Sequence, residues 1–136
     1  MASSALPDPN HDRNGTKQAQ EVETVLQYLK RSQKYSSNRL NEKASKLPFS
    51  VLKDLCPLMN KDRGHFYDDY RLMGEYMGLK NEIIESAVPD HTQMLLELYG
   101  SKFGGTVGHV MAIFSIIERN DAFNVLENYC LNPGNS

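Results

Sequence analysis

Side chains able to do acid–base, nucleophilic or metal chemistry are few in this chain, and they are scattered. The four histidines are His11, His65, His91 and His109. No two of them are four residues apart and no cysteine stands at ligand spacing, so we expect no metal site. Cys56 and Cys130 lie within apolar patterns, which is typical of buried inert thiols rather than of nucleophiles.

Neighbouring carboxylates and a glycine-rich turn are the remaining candidates for catalysis. Asp68-Asp69 is one carboxylate pair and Glu82 with Glu85 is another, but no surrounding pattern indicates a pocket that would raise a pKa for acid–base work. Gly104-Gly105 lacks the lysine of a phosphate-binding loop and is followed by a threonine suited to capping a helix. We therefore predict a protein that is not an enzyme and uses no cofactor.

Composition describes an ordinary globular chain of 136 residues, with 40% hydrophobic and 24% charged residues. No apolar run approaches the roughly 18 residues of a membrane span. Residues 1–20 are polar, with no apolar segment typical of a secretory signal. With only two cysteines, a disulfide framework is not indicated, and we expect a cytoplasmic location.

Opposite charges are separated along the chain, although the net charge is only −2. Residues 1–46 carry 8 basic and 5 acidic side chains, a net of +3, whereas residues 81–136 carry 2 and 7, a net of −5. The basic side chains of the first part are concentrated between Lys30 and Lys46. Such a segment suits a nucleic acid, an anionic membrane or an acidic partner, or it is a solvated linker. The acidic charge of residues 81–136 argues against nucleic-acid binding.

The elements that must position these residues are helices. Residues 1–17 are predicted to form a disordered tail. In residues 18–46, Val22, Val25, Leu26 and Leu29 form one amphipathic stripe, and a basic linker follows from Ser36. This helix either docks on the next domain or waits for a partner.

Six short helices are predicted in residues 47–131, and residues 132–136 form a C-terminal tail. Pro48 is expected in the first turn of the first helix, and Pro57 is expected to kink or end it early. The second helix runs from about Tyr67 to Met77, where Gly78 stops it. The predicted N-terminal caps of the remaining four helices are, in order, Asn81, Asp90 or Thr92, Thr106, and Asn120 or Asp121. Gly100 is expected to end the fourth helix. Because the connections are short, we predict an all-α antiparallel bundle.

Three blocks of the sequence match one known pattern in order and spacing. The first block holds Asp69, Tyr70, Met73, Gly74, Met77, Gly78 and Leu79. The second holds Thr92, Leu95, Leu96 and Tyr99. The third holds Thr106, Val107, Gly108, Val110, Met111, Arg119, Asp121, Ala122 and Phe123. Together they resemble the death-domain superfamily, and more closely the group of the Toll/interleukin-1 receptor adaptor, Pelle-like kinases and Tube. Tyr70 and Tyr99 stand where that family has tryptophan, and Gly74 where it has alanine.

The resemblance implies a six-helix death-domain bundle that works by binding. Its partners would be other death domains, those of Toll-pathway adaptors or Pelle-like kinases, or a second copy of this chain. The role implied is that of an adaptor in innate immune or cell-death signalling. The alternative is the N-terminal regulatory part of a Pelle-like kinase or a protease.

Charged residues outside the apolar patterns are the candidate partner-binding residues, since complementary charges steer such encounters. They are Asp62, Arg63, His65, Asp68, Arg71, Glu75, Glu82, Glu85 and Lys102. Phe103 is added either as an exposed aromatic anchor or as a core residue under a loop.

Overall fold

The computed structural model describes residues 15–132, and these residues are helical with no β-strand. The α-helices are α1 (Gly15–Arg31), α2 (Ser37–Asn41), α3 (Phe49–Asn60), α4 (Tyr70–Tyr76), α5 (Asn81–Glu85), α6 (His91–Lys102), α7 (Val107–Ile116) and α8 (Asn120–Cys130). Short 3-10 helices occur at Ala44–Lys46 and Gly64–Phe66. The all-α prediction is confirmed. Residues 1–14 of the predicted tail lie outside the described residues, and α1 begins at Gly15.

Helix α7 lies at the centre of the core and contacts α1, α2, α4 and α8. Its side chains Val107, Val110, Met111, Ala112, Ile113 and Phe114 have no exposed surface. A helix that is apolar on all sides must be buried on all sides. Thr106 caps it as predicted, because Thr106 Oγ1 accepts a hydrogen bond from the His109 backbone N–H at 3.2 Å.

Helix α1 docks on this centre through its predicted stripe. Val22, Leu26 and Leu29 are buried, and α1 packs chiefly against α7. Residues 36–46, predicted as a linker, instead form α2 and the first 3-10 helix, with Leu40 and Ala44 each only 1% exposed. Each of these two short helical segments is thus held against the core by one buried apolar side chain, while Arg39, Lys43 and Lys46 are exposed.

The six helices predicted after residue 47 are present as α3 to α8, with two differences around proline. Pro48 is the extended residue before α3 rather than part of its first turn. Pro57 lies inside α3, which continues to Asn60. Proline lacks the N–H that would bond to the Lys53 carbonyl, and both residues lie on the exposed face of α3.

Helix boundaries elsewhere follow the side chains that cap them. Helix α4 begins at Tyr70 rather than Tyr67, because Asp69 caps it by accepting a hydrogen bond from the Arg71 N–H at 3.0 Å. Gly78, with φ of 84°, follows its end as predicted. Asp90 caps α6 as predicted. Asn81 and Asn120 are the first residues of α5 and α8 rather than their caps.

Gly74 allows α4 and α5 to approach each other closely. A Cβ at this position would lie 2.7 Å from Ile84 Cγ1 on α5. The absence of a side chain therefore sets the separation of the two helices that form the acidic groove described below.

Candidate interaction surface

A buried carboxylate organises the α3–α4 loop, residues 61–69. Asp69 has no exposed surface, and its Oδ2 accepts hydrogen bonds from the Arg63 backbone N–H at 2.9 Å and from Arg71 Nη2 at 2.6 Å. Its Oδ1 accepts from the Arg71 backbone N–H at 3.0 Å and from Arg71 Nε at 2.9 Å. One side chain thus ties both ends of the loop to the start of α4.

These bonds keep Asp69 ionised despite its burial. Burial alone would raise the pKa of the carboxyl group, but hydrogen bonds from Arg71 and Arg63 and the positive charge of Arg71 outweigh it and lower the pKa. A buried charge is tolerated in this way only when it is paired and its lone pairs are used.

Arg119 anchors the same loop from beneath. Its side chain is 4% exposed, and it donates hydrogen bonds to the backbone carbonyls of Asp68 and, at 3.1 Å, of Leu58. It also pairs with Asp121, at 2.8 Å from Nη2 and 3.0 Å from Nε. The N-terminal end of α8 therefore fixes the C-terminal end of α3 and the residue before Asp69.

Two aromatic side chains stand out from this fixed frame. Phe66 is 80% exposed and Tyr67 is 50% exposed, and Tyr67 has the left-handed φ of 57°. The Arg71 guanidinium lies 4.4 Å from the Tyr67 ring centroid, within the range of a cation–π contact. An exposed aromatic side chain on a pre-organised loop has the character of an interface anchor.

Five of the predicted partner-binding residues surround these aromatics. Asp62 accepts hydrogen bonds from the Gly64 N–H at 2.7 Å and from Arg71 Nη2 at 3.0 Å. Arg63 pairs with Asp68 at 3.3 Å, and His65 is exposed in the 3-10 helix. The Arg71 side chain folds back from α4 onto the loop and is only 19% exposed.

A groove between α4 and α5 adjoins the loop, and we call it the acidic groove. Its cavity volume is about 370 Å³. The lining residues are Tyr67, Arg71, Leu72, Glu75, Asn81, Ile84 and Glu85. Glu75 accepts a hydrogen bond from Gln18 Nε2 of α1 at 2.7 Å, and Glu82 lies one turn before Glu85 on exposed α5. Arg71 does not neutralise these carboxylates, since its charge is matched by Asp69 and Asp62.

Lys102 and Phe103 lie apart from this surface, at the end of α6. Lys102 is exposed, whereas Phe103 is only partly exposed and packs against the core. Phe103 lines a separate cavity of about 170 Å³ together with Val22 of α1 and His109 of α7. Of the two interpretations of Phe103, the core residue under a loop describes its position, and its role in partner binding stays a prediction.

The side chains of the described residues form no arrangement suited to catalysis by a thiol or a metal. Burial raises the pKa of the Cys56 and Cys130 thiols to about 12, so neither is an activated nucleophile at neutral pH. Between residues 15 and 132, no group of three or more histidine, cysteine or carboxylate side chains is placed to bind a metal ion. In the same range, no helix has the length and apolar character needed to cross a bilayer.

Phe66 and Tyr67 were not among the residues predicted to bind. Phe66 carried a usable signal, because it follows the charged segment 60–65 and lies outside the apolar stripes of the flanking helices, whereas Tyr67 stands three residues before Tyr70 and continues the stripe of the second helix. Comparison of the chain with protein-family models, with curated proteins and with solved structures finds no significant match.

Proposed function

We propose that this protein is a non-enzymatic cytoplasmic adaptor built on a death-domain-like bundle, and that it binds other death domains through the α3–α4 loop. The observation that carries the proposal is the rigid presentation of Phe66 among charges of both signs. Asp69 and Arg119 hold the loop backbone from two sides, so little conformational entropy is lost when a partner binds.

The chemistry of the loop favours a protein partner over a small molecule. The Phe66 side chain is 80% exposed, and Asp62, Arg63 and Asp68 lie within a few residues of it. A projecting aromatic residue with a charged rim suits a partner that supplies a shallow apolar pocket with complementary charges. Death domains of Toll-pathway adaptors and Pelle-like kinases are the partners that the sequence resemblance implies.

Phe66→Ala tests this proposal in the full chain. Binding to death domains of Toll-pathway adaptors and Pelle-like kinases is measured by calorimetry for the wild type and the variant. Because hot-spot aromatics contribute about 2 kcal/mol or more, we expect affinity to fall by roughly 30-fold. The fold should be unaffected, since the side chain is 80% exposed.

Phe49→Ala is the matched control, because Phe49 is an equally exposed phenylalanine, at 79%, on α3. It should bind like the wild type. Equal affinities of the Phe66→Ala and Phe49→Ala variants would refute the role of the loop. Failure of the wild type to bind any of these death domains would refute the proposed partner class.

A further inference from the structure

A second surface of opposite charge lies at the far end of α1. Tyr28, Lys30 and Arg31 are exposed there, and we call them the basic end of α1. Tyr28 is 75% exposed and stands three residues before Arg31, so both side chains share one face of the helix. Exposed tyrosine beside arginine is the composition enriched at interface hot spots.

Part of the basic segment that follows α1 is already used within the molecule. Lys34 pairs with Glu127 at 3.2 Å, and the Arg39 guanidinium lies 4.2 Å from the Tyr129 ring centroid. Exposed basic side chains remain at the basic end of α1 and, further along the chain, at Lys43 and Lys46. An extended polyanion would therefore meet a short basic patch rather than a continuous basic track.

The acidic groove is complementary to this patch in both charge and shape. Glu75 and Glu85 line it together with the Asp-paired Arg71, Leu72 and Ile84 form an apolar floor, and Glu82 is a further exposed carboxylate on α5, with exposed Lys80 just before that helix. A basic side chain entering the groove would bury its methylene stem on that floor while its charged head reaches the carboxylates.

Within one molecule, the two surfaces are too far apart to meet. Gln18, near the start of α1, is bonded to Glu75 at the groove, and Arg31 follows 13 residues later on the same straight helix. At about 1.5 Å per residue, that places the basic end roughly 20 Å from the groove. Any pairing of the two must join different molecules.

We propose that the basic end of α1 in one copy docks in the acidic groove of a second copy. The contact is head to tail, since each molecule offers one surface of each kind, and repetition of it builds an open chain or a ring. This proposal rests on the proposed function in one respect, that the protein works by association with other proteins. The contact between copies involves a different surface from the one around Phe66.

Sedimentation velocity of the full chain tests the proposal. The wild type is expected to form larger species with rising concentration, and these should dissociate as ionic strength is raised to about 0.5 M. Lys30→Glu/Arg31→Glu and Glu82→Lys/Glu85→Lys should each be monomeric alone, with association weakened by at least about tenfold. Circular dichroism establishes that both variants remain folded.

Mixing the two variants gives the decisive result. The α1 end made acidic in the first variant is complementary in charge to the groove made basic in the second. Equimolar mixing should therefore restore assembly. The control Lys43→Glu/Lys46→Glu carries the same change in net charge at exposed positions outside α1 and should assemble like the wild type. A wild type that stays monomeric, or a mixture that does not assemble, overturns this contact. Neither result bears on partner binding through Phe66, which is measured separately.

Discussion

At the scale of single residues, two buried charged side chains fix the position of the α3–α4 loop. Asp69 and Arg119 are 0% and 4% exposed. Each forms hydrogen bonds with the α3–α4 loop or with residues next to it. Such groups add little net stability, because desolvation offsets the attraction, but removal of one partner leaves the other charge buried and unpaired. Their contribution is therefore the fixed conformation of the loop.

Asp69→Asn should destabilise the fold in a pH-dependent way. The pKa of Asp69 is lowered in the folded state, so its stabilising contribution is present above the unfolded pKa of about 3.9 and is lost as pH falls through the folded value. The difference in unfolding free energy between wild type and variant should thus be largest above about pH 4 and shrink below it. Urea unfolding at a series of pH values measures this difference.

Asp54→Asn, at an exposed position on α3, serves as the control and should change the unfolding free energy by less than about 0.5 kcal/mol. The lowered pKa values of Asp121 and Glu127 are common to all three proteins and cancel in the comparison. A difference for Asp69→Asn that grows as pH falls would contradict the assignment.

At the scale of elements, the close approach of two backbone segments explains a glycine inside a helix. Gly100 was predicted to end the fourth helix of the bundle, yet α6 continues through it to Lys102. A Cβ on Gly100 would lie 2.3 Å from the backbone nitrogen of Ser45. Glycine at this position therefore permits the 3-10 helix Ala44–Lys46 to pack directly on α6.

Gly100→Ala tests that packing. On helix propensity alone, alanine would stabilise α6 by about 1 kcal/mol. Because the new methyl group would displace the Ser45 backbone, we expect a net loss of roughly 1–3 kcal/mol in unfolding free energy. Ser101→Ala, at the adjacent exposed position, should be nearly neutral. Thermal and urea unfolding measure the unfolding free energies of both variants. A stabilised Gly100→Ala variant would show that the close contact with Ser45 is unimportant.

At the scale of the whole molecule, the residues before α3 are part of the core. Val22, Leu26, Leu40 and Ala44 are each no more than 2% exposed and belong to the same apolar cluster as α7. Tyr35 reaches α8, where its hydroxyl donates a hydrogen bond to Glu127 at 2.6 Å. A bundle without α1 and α2 would expose one side of α7.

A chain that begins at residue 47 is accordingly expected to fold poorly. Burial of a single large apolar side chain contributes about 1.5–3 kcal/mol, and several are lost together, against a typical total stability of about 5–15 kcal/mol. Circular dichroism and thermal unfolding compare this shortened chain with one that begins at residue 15. A cooperative transition at the same temperature in both would show that α1 and α2 are dispensable.

Much of the helical framework was predictable because its determinants are local. An amphipathic stripe repeats within two turns, and caps such as Asp90 and Thr106 accept hydrogen bonds from residues three positions away. The candidate surface was predicted only in part. The charged residues of the α3–α4 loop were named from the sequence, the exposure of Phe66 was not foreseen, and Phe103 was given as either an exposed residue or a core residue, of which the structure shows a side chain packed against the core. Side-chain exposure within a loop depends on what packs beneath it.

The sequence by itself determined the helical class of the described residues, the stripe of α1 and the ends of helices closed by neighbouring caps. Tertiary structure decided the rest, because the interacting groups are far apart in the chain. Arg119 fixes the carbonyl of Asp68 from 51 residues away, Gly100 lies inside α6 where the Ser45 backbone packs against it, and Gln18 brings the start of α1 to the acidic groove. Periodicity reports which face of a helix is apolar, but only packing determines what that face meets.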